Sequence, residues 1–156
     1  MANYYLDTEF TKFGGELISL ALVREDGESI YLVYELSDDT EIDPWVSDNV
    51  LPIVWSIPSP LPGMAYKINQ IEGARQGARL IANFLAGDTH PMIISDWPDD
   101  IAYFCKAVIT GPGEMASIPR LAFQVIRVDA YPTDVEGAVR HNSYWDALAL
   151  RRRITL

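Results

Sequence analysis

The sequence predicts an α/β domain, built on a mixed five-stranded sheet of three antiparallel strands followed by two parallel ones, with helices on its flanks. Three observations predict it. Apolar runs separated by turn signals fill the first 35 residues. Two later segments carry apolar residues at three-to-four spacing. Short apolar runs lie between and after those segments. At 156 residues and 49% hydrophobic content the chain is expected to form one domain, 1–156, with a full core.

Each element has its own signal. Residues 3–10 read as a first strand and Thr11–Gly15 as a turn. Glu16–Arg24 is a second strand, and Glu25-Asp26-Gly27 is a hairpin turn into a third over Ser29–Glu35. Between Ser37 and Gly63 the composition shifts to Asp, Pro and Ser with scattered Trp45, Val50, Ile53 and Trp55. This predicts a long irregular excursion, unusual enough in a compact domain to imply use. In Asn69–Leu85 the residues Ile71, Ala74, Ala78, Ile81 and Leu85 recur at helical spacing, and Gly87 ends that helix. Met92–Ser95 is a short buried strand. Pro98 opens a helix to about Val108, with Ile101, Phe104, Cys105 and Val108 toward the core. Gly111-Pro112-Gly113 breaks it, Leu121–Val128 is a fifth strand, and Ser143–Arg153 a last helix.

Composition narrows the setting. No apolar run reaches the roughly 18–20 residues of a spanning helix, and the N-terminus has no basic segment followed by an apolar one, so neither membrane insertion nor secretion is expected. One cysteine, Cys105, forms no internal disulfide; it is expected as a core thiol in a reducing cytoplasm. The net charge of −10 weighs against a nucleic-acid partner unless bound cations reverse the field at an acidic site. Arg75, Arg79, Arg120, Arg127, Arg140 and Arg151–Arg153 can then form a basic rim; taken singly, each is equally well a solvated helix face or a dipole partner.

The chemistry concentrates at three places. In Asp7-Thr8-Glu9, strand alternation sends both acids to one face, and the flanking Tyr4, Tyr5, Leu6 and Phe10 make that strand central and largely buried. Ser95-Asp96-Trp97-Pro98-Asp99-Asp100 puts an acidic patch at a helix start, where acids also simply favour the macrodipole. His141 precedes Asp146 by five residues; Ser143 and Asp146 also fit a capping-box variant. Two carboxylates about 4 Å apart repel by about 4 kcal/mol at an effective dielectric near 20, so a cluster of them calls for cations. His90, in a turn before Pro91, is a solvated loop residue.

The element order matches the ribonuclease H-like fold. On it, Asp7-Thr8-Glu9, an Asp at the second helix, and His141 five residues before Asp146 resemble the DEDDh family of 3′-5′ exonucleases over nearly the whole chain. That family's second motif has Asn at a strand end and its catalytic Asp four residues later, before an apolar pair. Here the pattern sets Asp96 at the Asn position, Asp100 at the Asp, and Tyr103 and Phe104 as the pair; Asp96 departs from Asn and stands as an alternative ligand. The resemblance implies that Asp7, Glu9, Asp100 and Asp146 hold two Mg²⁺ or Mn²⁺ ions, with His141 as general base on the loop entering the last helix. It further implies a nucleic-acid 3′ end as substrate, RNA before DNA as in compact bacterial or phage exoribonucleases, and a homodimer. Thr8, Phe10, Trp97 and Tyr144 are candidate substrate contacts, with core packing the default reading for Trp97 and Tyr144, and Trp45 and Trp55 are further aromatics open to base stacking. A DNA exonuclease and a non-catalytic nucleic-acid-binding protein on the same scaffold are the alternatives.

Overall fold

The computed structural model describes residues 1–132 and 135–155. Strands β1 (Asn3–Phe10), β2 (Leu17–Arg24) and β3 (Ser29–Tyr34) form the expected antiparallel meander. Gly27, with φ of 99°, makes the tight turn between the last two. The excursion that follows is less irregular than its composition predicts. It folds helix α1 (Pro44–Asn49), capped by the Asp43 carboxylate on the Trp45 N–H, and then a 3₁₀ turn over Leu51–Ile53. Its end is a strand: β4 (Gly63–Ile68) pairs in parallel with β3, from Ser29↔Gly63 to Tyr34↔Ile68.

Helix α2 (Gly73–Leu85) and strand β5 (Met92–Ser95) come next, then helix α3 (Pro98–Ala107). The predicted break at Gly111-Pro112-Gly113 is the tip of a small hairpin, β6 (Ile109–Gly111) with β7 (Glu114–Met115). Strand β8 (Ala122–Val125) and helix α4 (Ser143–Thr155) complete the chain. Among the described residues the sheet therefore has six strands rather than five, in the order β4-β3-β2-β1-β5-β8, with β5 parallel to β1 and β8 parallel to β5.

Strand alternation divides the core into two layers. Tyr4, Leu6, Leu20, Leu22, Ile30, Leu32 and Ile93 face Ile81 and Leu85 of α2 and Phe104 of α3. Ala21, Val23, Tyr31 and Val33 face Tyr144, Trp145 and Ala147 of α4, while Tyr5 and Ile94 meet Leu150. Asp7 and Glu9 share the side of Tyr5, so they lie under α4.

Three local expectations are corrected. The α2 helix begins at Gly73 because the Asn69 carboxamide accepts from the Glu72 N–H and fixes a turn, which leaves Ile71 outside the helix and 97% exposed; Ala74 is exposed as well. Cys105 is on the solvent side of α3, since Tyr103 and Phe104 take the buried positions of that turn. Strand β8 covers only the middle of 121–128, because its pairing with β5 ends at Ser95↔Val125.

Gly63, with φ of 118°, lies flat against β3: a Cβ there would sit 1.9 Å from the Ser29 carbonyl oxygen. Gly63→Ala is expected to lower unfolding free energy by about 2–3 kcal/mol, measured by urea denaturation, because it combines a forbidden backbone conformation with a clash in the β3–β4 ladder.

Candidate metal centre

The site forms where β1 and β5 part. Their ladder stops at Tyr5↔Ile94, although the same register carried onward would set Asp7 level with Asp96. The C-terminal ends of a parallel strand pair then open into a crevice, the place where open α/β sheets gather ligands. Glu9 follows Asp7 on the same face, opposite Ser19 of β2.

Asp100 enters from the first turn of α3. Its Oδ1 accepts from the Thr8 N–H at 3.1 Å and from Thr8 Oγ1 at 2.6 Å, and its Oδ2 accepts from Ser95 Oγ at 2.7 Å. Those three bonds carry Asp100 inward to 2% exposure, well beyond what a dipole-serving acid at a helix start needs. Asp99 turns away and accepts from Trp97 Nε1.

Asp146 comes from α4, whose start is tightly held. Asn142 is the cap residue: its Oδ1 accepts from the Tyr144 and Trp145 N–H groups, and its Nδ2 donates to Tyr31 Oη and to the Ile53 and Val54 carbonyls. Ser143 Oγ bonds Ser19 Oγ at 2.8 Å, and Trp145 Nε1 donates to the Ser56 carbonyl. The capping-box alternative for Ser143 and Asp146 is thus not formed, and Asp146 is free to face the crevice. His141, just before the cap, takes a left-handed backbone with φ of 63°, and its ring meets Trp45 of α1 edge-on at 4.8 Å.

Two groups of acids result, each with ligand atoms within 4.8 Å of one another: Asp7, Glu9 and Asp146, and Asp7, Asp96 and Asp100. Asp7 belongs to both. Asp96 and Asp100, alternatives by sequence, both reach it. Among the described residues the buried Asp7 Oδ2 has no hydrogen-bond partner, and no cation pairs with any of these five carboxylates. An orphaned buried carboxylate oxygen amid like charges costs free energy that an oxygen-seeking divalent ion recovers, so the residue set fits Mg²⁺ or Mn²⁺.

Burial, followed by the mutual repulsion of the acids, drives the pKa of Asp7 well above the usual range and that of Glu9 to about 8; burial raises Asp146 to about 7 against a hydrogen bond from the His141 backbone. Asp100 is raised to about 6, burial outweighing the Thr8 and Ser95 hydrogen bonds that favour its charged form. Burial also raises Asp96, against the nearby Arg127 charge. His141 is lowered by burial and by the Arg140 charge, which favours its neutral imidazole.

A cleft of about 140 Å³ is lined by Asp7, Asp96, Asp146, His141, Arg140, Tyr131 and Ala130. A larger groove of about 520 Å³ lies among Gly15–Leu17, Tyr34–Leu36, the start of α2 and the end of α3. Among the described residues no metal-ligand group forms there.

The candidate substrate contacts divide. Trp97 is half-exposed beside Asp96. Phe10 stacks on Tyr103 at 4.6 Å at the cleft strand's end. Thr8 is buried and spends its hydroxyl on Asp100. Tyr144 is corrected: at 4% exposure it packs edge-on against Tyr31 and Trp145 in the core and offers no face to a base. Trp55 packs edge-on against Tyr31 and remains half-exposed. His90 is an exposed loop residue, as expected. Ser95, Asn142 and the Trp45 contact to His141 carry no local signal in the sequence.

No known protein-family model matches the chain, and no curated protein sequence is significantly similar to it.

Two outcomes follow from this geometry. Carboxylates whose folded pKa values are raised bind protons more tightly when folded, so in the metal-free protein the stabilisation these groups contribute is fully present below about pH 4. That contribution is lost between there and about pH 8, as Asp100, Asp146 and Glu9 ionise. Calorimetry is expected to show the Tm of the metal-free protein falling from pH 5 to pH 8, and Mn²⁺ restoring it most at pH 8. A flat profile without response to Mn²⁺ contradicts the site. Thr8→Val removes the hydroxyl that orients Asp100 while conserving shape, and is expected to weaken Mn²⁺ binding about 10-fold in a competition titration.

Proposed function

We propose that this chain is a metal-dependent 3′-5′ exonuclease of the DEDDh type on a ribonuclease H-like scaffold, acting first on RNA. The observation that carries the reading is the convergence of Asp7, Glu9, Asp100 and Asp146, from β1, α3 and α4, around the unpartnered Asp7 Oδ2, with His141 lining the same cleft. The antiparallel meander with parallel β5 and β8 beyond it supports the scaffold.

When bound, two Mg²⁺ or Mn²⁺ ions neutralise a phosphodiester and activate a water. The chain's own residues do the rest. Asp7 serves both ligand groups, Glu9 and Asp146 complete one, and Asp96 and Asp100 complete the other. Thr8 and Ser95 hold Asp100 so that its carboxylate does not rotate away. The neutral imidazole of His141 accepts the proton of the attacking water as the bond from phosphorus to the 3′ oxygen breaks; the departing 3′ oxygen takes up a proton from solvent, and the imidazolium returns its own to solvent. The T-shaped contact with Trp45 restrains the ring, which lines the cleft. The products are a nucleoside 5′-monophosphate and a strand with a new 3′-hydroxyl. The same reading carries a homodimer in which exposed arginines such as Arg75 and Arg79 serve the partner's cleft.

The test is single-stranded RNA labelled at either end, incubated with Mn²⁺, Mg²⁺ or EDTA, with matched DNA alongside. Metal-dependent shortening from the 3′ end is expected, abolished in Asp7→Ala and slowed by at least about 100-fold in His141→Ala. No shortening of either nucleic acid by the wild-type chain overturns the reading.

A further inference from the structure

The carboxylate cluster repels the very phosphate it is read to cleave, so the approach must be lined by cations. The net charge of −10 makes them scarce. Several of the chain's basic groups are already committed: Arg24 to Asp26, Lys12 to Glu41, and Arg151 to the Glu25 carbonyl. Two exposed arginines beside the cleft are arranged alike. Arg127 lies over the Trp97 ring at 4.7 Å and donates to the Asp96 carbonyl, and Arg140 lies over the Tyr131 ring at 4.3 Å. Both rings are about half-exposed, Trp97 at 49% and Tyr131 at 54%. Arg140 and Tyr131 line the cleft itself together with Asp146 and His141.

Holding a guanidinium over an aromatic face restricts a flexible side chain while its remaining N–H donors stay available to a phosphate; Arg127 spends one of them on the Asp96 carbonyl and keeps the others. We propose that Arg127 on Trp97 and Arg140 on Tyr131 are two phosphate-binding posts, one beside Asp96 and one beside Asp146, that seat the 3′ end of a single-stranded nucleic acid in the carboxylate cleft. For its substrate the inference rests on the nuclease reading above. The single strand follows from size: the cleft is about 140 Å³, with the buried Asp7 Oδ2 on the Asp7 side chain that lines it, so a terminal phosphodiester enters only when its base is unpaired.

The experiment is fluorescence anisotropy of a 5′-labelled single-stranded RNA 12-mer, titrated with NaCl, with Ca²⁺ in place of Mg²⁺ to hold back turnover. Each lost phosphate contact is expected to flatten the slope of log K against log salt by about 0.7 and to weaken binding several-fold. Arg127→Ala and Arg140→Ala are each expected to do so. Arg127→Lys and Arg140→Lys keep the slope but not the full affinity. A blunt duplex competes poorly with the single strand.

Arg127→Ala also removes the donor to the Asp96 carbonyl, so Arg140→Ala, free of such a bond among the described residues, decides the matter if Arg127→Ala fails to fold. An unchanged salt slope in Arg140→Ala, equal competition by blunt duplex, or no binding of either by the wild type overturns the proposal. Binding is read without turnover, which separates the two inferences. A chain that seats the strand on these posts yet never shortens it loses the nuclease reading alone. One that shortens 3′ ends with unaltered slopes in the variants loses the posts alone.

Discussion

Mutual repulsion among carboxylates is the constraint around which this molecule is organised. Asp7, Glu9, Asp96, Asp100 and Asp146 crowd the end of one parallel strand pair, where each added charge raises the cost of the rest. The protein holds them there by local means. The β1–β5 ladder ends early and leaves a crevice. Ala21 of β2 pairs with Asp7, and Ala147 of α4 packs nearby, so small side chains leave room for the acids. Thr8 and Ser95 take both oxygens of Asp100. The Asp7 Oδ2 is left without such a partner, and that asymmetry marks it as the atom around which bound cations would gather.

The fourth helix must be anchored as firmly as the strands if Asp146 is to face Asp7. Here the long segment between β3 and β4 has its use. The carbonyls of Ile53, Val54 and Ser56 receive Asn142, Tyr31 and Trp145, so the 3₁₀ turn acts as a clamp on the start of α4. Helix α1, one step earlier in the same segment, presents Trp45 to His141. An excursion without regular periodicity thereby sets the position of one candidate ligand and of the candidate base. Strand β4 then returns the chain to the sheet edge and closes the segment at both ends.

Much of this was legible in the sequence where the signal is local. The β1–β3 meander, α2, β5, α3 and α4 follow from alternation, three-to-four spacing, Gly27 and Pro98, and Asp7 with Glu9 on one face follows from strand geometry alone. Strand β4 was not legible. As an edge strand it buries only Ile68 fully, so Gly63–Ile68 shows no clean alternation, and its parallel partner lies about 30 residues back across the excursion. The exposure of Ile71 and Cys105 was missed for a related reason: helical spacing selects a stripe, but tertiary packing decides where that stripe stops. At the site, the sequence left Asp96 and Asp100 as alternatives, since their geometry depends on Thr8 and on the splay of two strands. For Tyr144 core packing is the default reading of the sequence, with base stacking the lesser alternative, and α4 turns it onto Tyr31 in the core.

The central claim is that the acid cluster is a two-ion site with Asp7 shared between the ions. Isothermal titration calorimetry with Mn²⁺ at pH 7.5, on the wild type and on Asp7→Asn, tests it most directly. The account predicts two Mn²⁺ per wild-type chain, with both sites weakened together in a variant that changes one charge and almost no volume. No Mn²⁺ uptake by the wild type, or uptake that Asp7→Asn leaves unaltered, would contradict it.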